Sequence, residues 1–140
     1  MARTMPGTNF VDALDIQTGH WSEDRVERYL DIESYHLNRS GVVHGAIIMS
    51  LIDSASGRCG QFPPPGKPKG SSMTVSLNCS FIGQCKGGRL VATGQRVSTG
   101  RSLYFTTVEV RNAEGELVAS ANGVHRYRRG SGPAAAQQSD

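Results

Sequence analysis

Several kinds of residue are scarce in this chain, and each shortage narrows what it can do. No apolar run in the 140 residues approaches the roughly 20 that cross a bilayer as a helix, so no membrane partner is expected. Cysteine is rare. Cys59, Cys79 and Cys85 are odd in number and lack a Cys-x-x-Cys pair, which fits neither a disulfide framework nor a zinc site and suggests reduced thiols. Aromatic residues make up only 6% and do not interleave with basic ones, so no nucleic-acid partner is expected. The opening residues Met1 to Gly7 carry one charge and no following apolar stretch, unlike a secretory leader, and a cytoplasmic location is expected.

What remains has the balance of one globular domain, with 37% hydrophobic and 19% charged residues. The net charge of +3 is mild and owes much to Arg126, Arg128 and Arg129, a patch small enough to suit a phosphorylated ligand. The tract Phe62-Pro-Pro-Pro-Gly-Lys-Pro-Lys-Gly70 admits neither helix nor central strand, because proline lacks an amide donor and fixes its backbone angle. It reads as a connector. Residues 130–140 offer almost nothing to bury and read as a flexible C-terminal tail. The expectation is a single domain over 1–129, with its ordered body at about 10–127.

One helix stands out. After the turn-forming Asn38-Arg39-Ser40-Gly41, the run Val42 to Ser56 repeats Ile47, Ile48, Leu51, Ile52 and Ala55 at intervals of three and four. Glycines from Gly57 to Gly60 end it. Both of its flanks are apolar, as suits a helix wrapped by a sheet. From Met73 the period becomes two, giving strands at Met73–Phe81, Arg89–Val97, Ser102–Val110 and Leu117–His125, with a fifth within Val26–Tyr35. The connectors are too short for parallel crossovers, so the four later strands read as an antiparallel meander. The fold class is α+β: a long central helix wrapped by a single antiparallel sheet.

The stretch Asn38-x5-His44-Gly45-Ala46, followed eight residues after Gly45 by Asp53 in Leu-Ile-Asp-Ser-Ala, resembles the hotdog-fold acyl-CoA thioesterases of the phenylacetic-acid-degradation and human thioesterase-superfamily-member-2 type. The likeness extends over about residues 26–126, since helix, proline loop and strands follow the family's order. It implies hydrolysis of an acyl- or aryl-CoA thioester to a free acid and coenzyme A. The Gly45 amide would polarise the carbonyl, and Asp53 would act as nucleophile or general base. Asn38 would orient the water or the carbonyl, His44 falls on the motif, and Thr74 would assist the carboxylate. In the turn Ser98-Thr-Gly-Arg-Ser-Leu103, Gly100, Arg101 and Ser102 would border coenzyme A, with Arg101 meeting a phosphate. No metal and no separate cofactor is implied, coenzyme A entering as part of the substrate. The family usually has two glycines after the histidine. Here the second is Ala46, which bears on pocket size.

Physical chemistry bears on these placements directly. A helix start carries unpaired amides and the positive end of the helix dipole, which suits a developing oxyanion. Eight residues at 1.5 Å each separate Gly45 from Asp53 by about 12 Å, too far for both to touch one carbonyl carbon. If both act together, they come from two chains whose helices run antiparallel across a two-fold axis. The resemblance implies the same homodimer, which could pair again into a homotetramer. Bland readings stand beside the sharp ones: Asn38 as a turn former, His44 as a structural hydrogen-bonding residue, Thr74 as an ordinary strand residue and Arg101 as a solvated turn arginine. Two other functions stay open at this level, an acyl-thioester hydratase or dehydratase and a non-catalytic acyl-CoA-binding module.

Overall fold

The computed structural model describes residues 9–132. A short helix α1 (Phe10–Ala13) leads into β1 (Gln17–Ser22) and β2 (Arg25–Asp31). A 3-10 turn (Ser34–His36) precedes the central helix α2 (Gly45–Arg58), and four strands follow: β3 (Ser72–Phe81), β4 (Arg89–Thr99), β5 (Leu103–Arg111) and β6 (Leu117–Tyr127). All pair antiparallel in one six-stranded sheet of order β1-β2-β4-β5-β6-β3. The α+β expectation of one helix against one antiparallel sheet is met.

The core lies between α2 and the inner sheet face. Ile48, Leu51, Ile52 and Ala55 of the helix meet Val26 and Leu30 of β2, Leu90 and Ala92 of β4, Val108 and Val110 of β5, and Val118 and Ala119 of β6, all buried. Close approach is made possible by Gly94. A Cβ there would lie 2.6 Å from the Ala55 carbonyl oxygen, so any side chain would lift the helix off β4.

Two expectations need correction. The four later strands are not a simple meander: β4, β5 and β6 are consecutive neighbours, but β3 pairs with β6 at the far edge and β2 takes the place beside β4. Residues 82–88 cross the end of the sheet instead of making a hairpin. Seven residues at about 3.3 Å each reach that far, and the crossing is fixed midway, where the Val43 amide donates to the Cys85 carbonyl at 2.8 Å and Cys85 is buried. The helix also starts at Gly45 and not at Val42, because Val42 and Val43 are held extended by Asn38 and by the crossing segment. β1 was not anticipated, since Gln17–His20 are exposed and show no alternation.

The described chain holds no helix long and apolar enough to cross a membrane. Gly130 to Gly132 still fold back, the Ser131 hydroxyl accepting from the Ser71 amide at 3.0 Å, whereas the rest of the expected tail lies outside the described residues.

Gly94→Ala should cost about 1–3 kcal/mol by forcing α2 outward. Gly87→Ala, where a Cβ meets nothing within 4 Å, should be near neutral. Urea denaturation of both variants checks this, and equal stabilities would contradict the packing argument.

Candidate active site

The residues singled out in the sequence fall into two groups, one at the N-terminus of α2 and one about two turns along it. At its N-terminus, His44 is the capping residue, and its Nδ1 accepts from the Ala46 amide at 3.0 Å. The Ile47 amide donates to the His44 carbonyl at 2.9 Å. Gly45 is therefore left as the first helical residue with no intrahelical acceptor for its N–H. It is only half-buried, and the nearest side chain is the ring of Phe81, 3.6 Å from where a Cβ would stand. His44 is committed as a cap by this bond, in line with its structural reading. Asn38 is committed likewise: its Oδ1 accepts from the Ser40 amide at 2.9 Å and the Val42 amide at 3.3 Å, closing the turn that delivers the chain to the helix. Its side-chain NH2 makes no hydrogen bond among the described residues.

Two turns along the helix, the Thr74 hydroxyl donates to Asp53 Oδ1 at 2.7 Å. This contact depends on a bulge. Strict alternation from Leu77 and Cys79, which pack on the core, would put Val75 and Met73 inward and Thr74 outward. The register instead shifts between Thr74 and Ser76, so Thr74 turns to the helix while Met73 and Val75 stay exposed. Asp53 itself is exposed in the single chain and not sunk in an apolar face as its sequence neighbours suggest.

Behind this pair runs a polar chain that the sequence reading did not single out. His125 lies beside Thr74 across the β3–β6 ladder, and its Nε2 shares a hydrogen bond with Ser56 Oγ at 2.6 Å, which in turn meets Thr106 Oγ1 at 2.5 Å. The Tyr104 ring stacks on His125 at 5.1 Å, and its hydroxyl donates to the Gly57 carbonyl at 2.7 Å. Burial holds the His125 imidazole below its ordinary pKa, and the nearby Asp53 only partly offsets this. The turn bearing Gly100, Arg101 and Ser102 stands at this same end of the sheet, where Thr99, Tyr104, His125 and Thr74 follow one another in register. All three turn residues are exposed. A cavity of about 740 Å³ opens beside Asp53 and Thr74 and is lined further by Arg28, Arg58, Gln61 and His125.

With fold and geometry in place, the comparison with known families is decisive: the model of the thioesterase superfamily matches residues 40–119, more than half of the chain. The chain belongs to the thioesterase superfamily. Acyl-coenzyme A thioesterase 13 of Homo sapiens is 29% identical over 92 residues, and that of Mus musculus 28% over 92 residues, in each case covering 64% of both chains. A variant of the phenylacetic acid degradation protein PaaI from Thermus thermophilus is 25% identical, with a TM-score of 0.73 over 85% of this chain and 97% of that one. The E. coli PaaI protein superposes with a TM-score of 0.76 at 20% identity, covering 86% and 85% of the two chains, a likeness of fold. This superfamily member thus shares with PaaI the central helix on an antiparallel sheet.

The neutral His125 has a measurable consequence. Its folded pKa lies below the ordinary 6.5, so as pH falls through about 6.5 the unfolded chain takes up a proton that the folded chain refuses. Stability present above that pH is then lost until the folded pKa is reached. The urea midpoint of the wild type should fall more steeply between about pH 7 and pH 5 than that of His125→Gln, and parallel slopes would contradict the assignment.

Proposed function

We propose that this protein hydrolyses acyl-CoA thioesters to a free acid and coenzyme A, at a site shared by two copies of the chain. The observation that carries this reading is one stripe of α2. Gly45, Met49 and Asp53 follow at intervals of four on one face, with a free amide at one end, a carboxylate at the other and an exposed methionine midway. If Gly45 of one copy faces Asp53 of the other, Met49 meets its own counterpart on the two-fold axis. The neighbouring strand suits such pairing: β3 is an edge strand of ten residues that among the described strands pairs with β6 alone, and Met73, Val75, Phe81 and Ile82 are exposed along it or just beyond it. Antiparallel pairing of two β3 edges would cover this apolar surface and bring the helices together head to tail.

In the assembled site the thioester oxygen lies at the Gly45 amide, where the helix dipole stabilises the negative charge of the tetrahedral intermediate. Asp53, oriented by Thr74 through Oδ1, serves the attack through Oδ2. As a base it takes a proton from water while the water oxygen bonds to the carbonyl carbon; as a nucleophile it bonds to that carbon itself, forming an anhydride that water then opens. Either route breaks the carbon–sulfur bond and releases the thiol. Hydrolysis in isotopically labelled water separates them, since the anhydride route places label first in the Asp53 carboxylate. Asn38, whose NH2 has no partner among the described residues, orients the carbonyl or the water at the Gly45 end. Arg101 and its neighbours Gly100 and Ser102 offer an exposed cationic turn for the phosphates of coenzyme A. The human and mouse relatives named as acyl-coenzyme A thioesterases support the substrate class.

Asp53→Asn should lower thiol release by about a hundredfold or more, some 3 kcal/mol of transition-state stabilisation, while the dimer persists. Met49→Arg should give a folded monomer with the same loss. Coenzyme A release measured beside light scattering tests both, and an active Met49→Arg monomer would refute the shared site.

A further inference from the structure

Arg28 stands where the fold calls for an apolar residue. On β2 the inward positions are Val26, Arg28 and Leu30, and all three are buried, Arg28 with 3% of its surface exposed. Its Nη1 donates to Thr18 Oγ1 across the β1–β2 ladder at 2.8 Å, but its Nε has no acceptor among the described residues. Among the described residues no carboxylate forms an ion pair with it; Asp12 lines the same cavity and acts only at longer range. The charge that acts on it more strongly than Asp12 does is a second cation. Arg58 packs over the Trp21 ring at 5.1 Å, likewise forms no ion pair among the described residues, and disfavours the charge on Arg28. Burial and this neighbour bring the Arg28 pKa down to about 10, so the guanidinium is charged at neutral pH. A buried, charged fork with an unused donor costs stability unless an anion completes it.

Both Arg28 and Asp53 line the 740 Å³ cavity. We propose that the acyl group of the substrate carries a carboxylate at its far end, and that Arg28, assisted by Arg58, binds this carboxylate while the thioester lies at Asp53. The inference rests on the hydrolase reading above and narrows its substrate class to the CoA thioesters of dicarboxylic acids. Arginine suits the task because its planar donors match a carboxylate, and burial strengthens the charge-assisted bond.

The test compares adipyl-CoA with hexanoyl-CoA, equal in carbon count and differing in the terminal carboxylate. Wild type should show a kcat/KM at least about tenfold higher for adipyl-CoA. Arg28→Met should abolish that preference, lowering kcat/KM for adipyl-CoA at least about tenfold more than for hexanoyl-CoA. Should Arg28→Met fail to fold, free adipate and free hexanoate are added to the wild type in thermal denaturation, where only adipate should raise the melting temperature. A wild-type preference for hexanoyl-CoA with no stabilisation by adipate overturns the proposal. So does an equal loss on both thioesters in a folded Arg28→Met, which would place Arg28 at the coenzyme A phosphates or in the fold alone. If no thioester is hydrolysed at all the hydrolase reading fails, whereas stabilisation by adipate alone would still support the anion site.

Discussion

Eight residues of α-helix rise by about 12 Å, and that rise separates the free amide of Gly45 from the carboxylate of Asp53. Neither group can come nearer while both belong to one rigid helix, and the helix is held rigidly: it packs on five strands, β2 to β6, and Gly94 lets it lie against β4 with no side chain between. A thioester carbonyl needs an oxyanion donor and an attacking or activating group within a few ångströms of one carbon. On the proposed reading one helix supplies both and keeps them apart, so the pair is completed by a second copy, for which the exposed edge strand offers a seam. β3 lies at the end of the sheet, unpaired on one side, with apolar residues showing along it. An edge of this kind is a hazard in a lone chain and a seam in a pair.

The two ends of the helix are prepared by different devices. At the Gly45 end, selection among amides matters: the His44 ring occupies the Ala46 N–H, the His44 carbonyl takes the Ile47 N–H, and one donor is left over. At the Asp53 end the device is a β-bulge, which turns Thr74 toward the carboxylate without disturbing the inward packing of Leu77 and Cys79. Beneath that pair, Ser56, Thr106, His125 and Tyr104 form a buried hydrogen-bonded and stacked layer that holds β5 and β6 to the helix. Polar groups buried this way fix one arrangement, because any slip leaves a donor unmatched.

Much of this was legible in the sequence, and the parts that were not have physical reasons. The helix and the later strands showed because one-sided burial imposes a period, 3.6 on Ile47 to Ala55 and 2 on Leu103 to Val110. Strand order did not show: a seven-residue connector is compatible with a hairpin or with a crossing over the sheet end, and only the anchoring of Cys85 decides. β1 was silent because most of it is exposed, and the bulge was hidden because Met73 and Val75 mimic inward residues. Asp53, Gly45 and Thr74 were singled out through the family motif, and the structure brings Thr74 to Asp53. Arg28 had a signal that went unread, a charged residue at the inward position of the alternation Val26-x-Arg28-x-Leu30.

The central claim is that each site takes its amide from one chain and its carboxylate from another, and mixed dimers test it most directly. Gly45→Pro removes the N–H and adds a ring whose Cβ stands in ordinary contact with Phe81, 3.6 Å away; proline is well tolerated at the first helical position and His44 is already extended. Asp53→Asn removes the carboxylate. Each variant alone should be nearly inactive. Refolded together in equal amounts, about half of the dimers are mixed and each carries one intact site, so thiol release should return to about a quarter of the wild-type rate. If the mixture stays as inactive as its components while mixed dimers are present, the shared site is wrong.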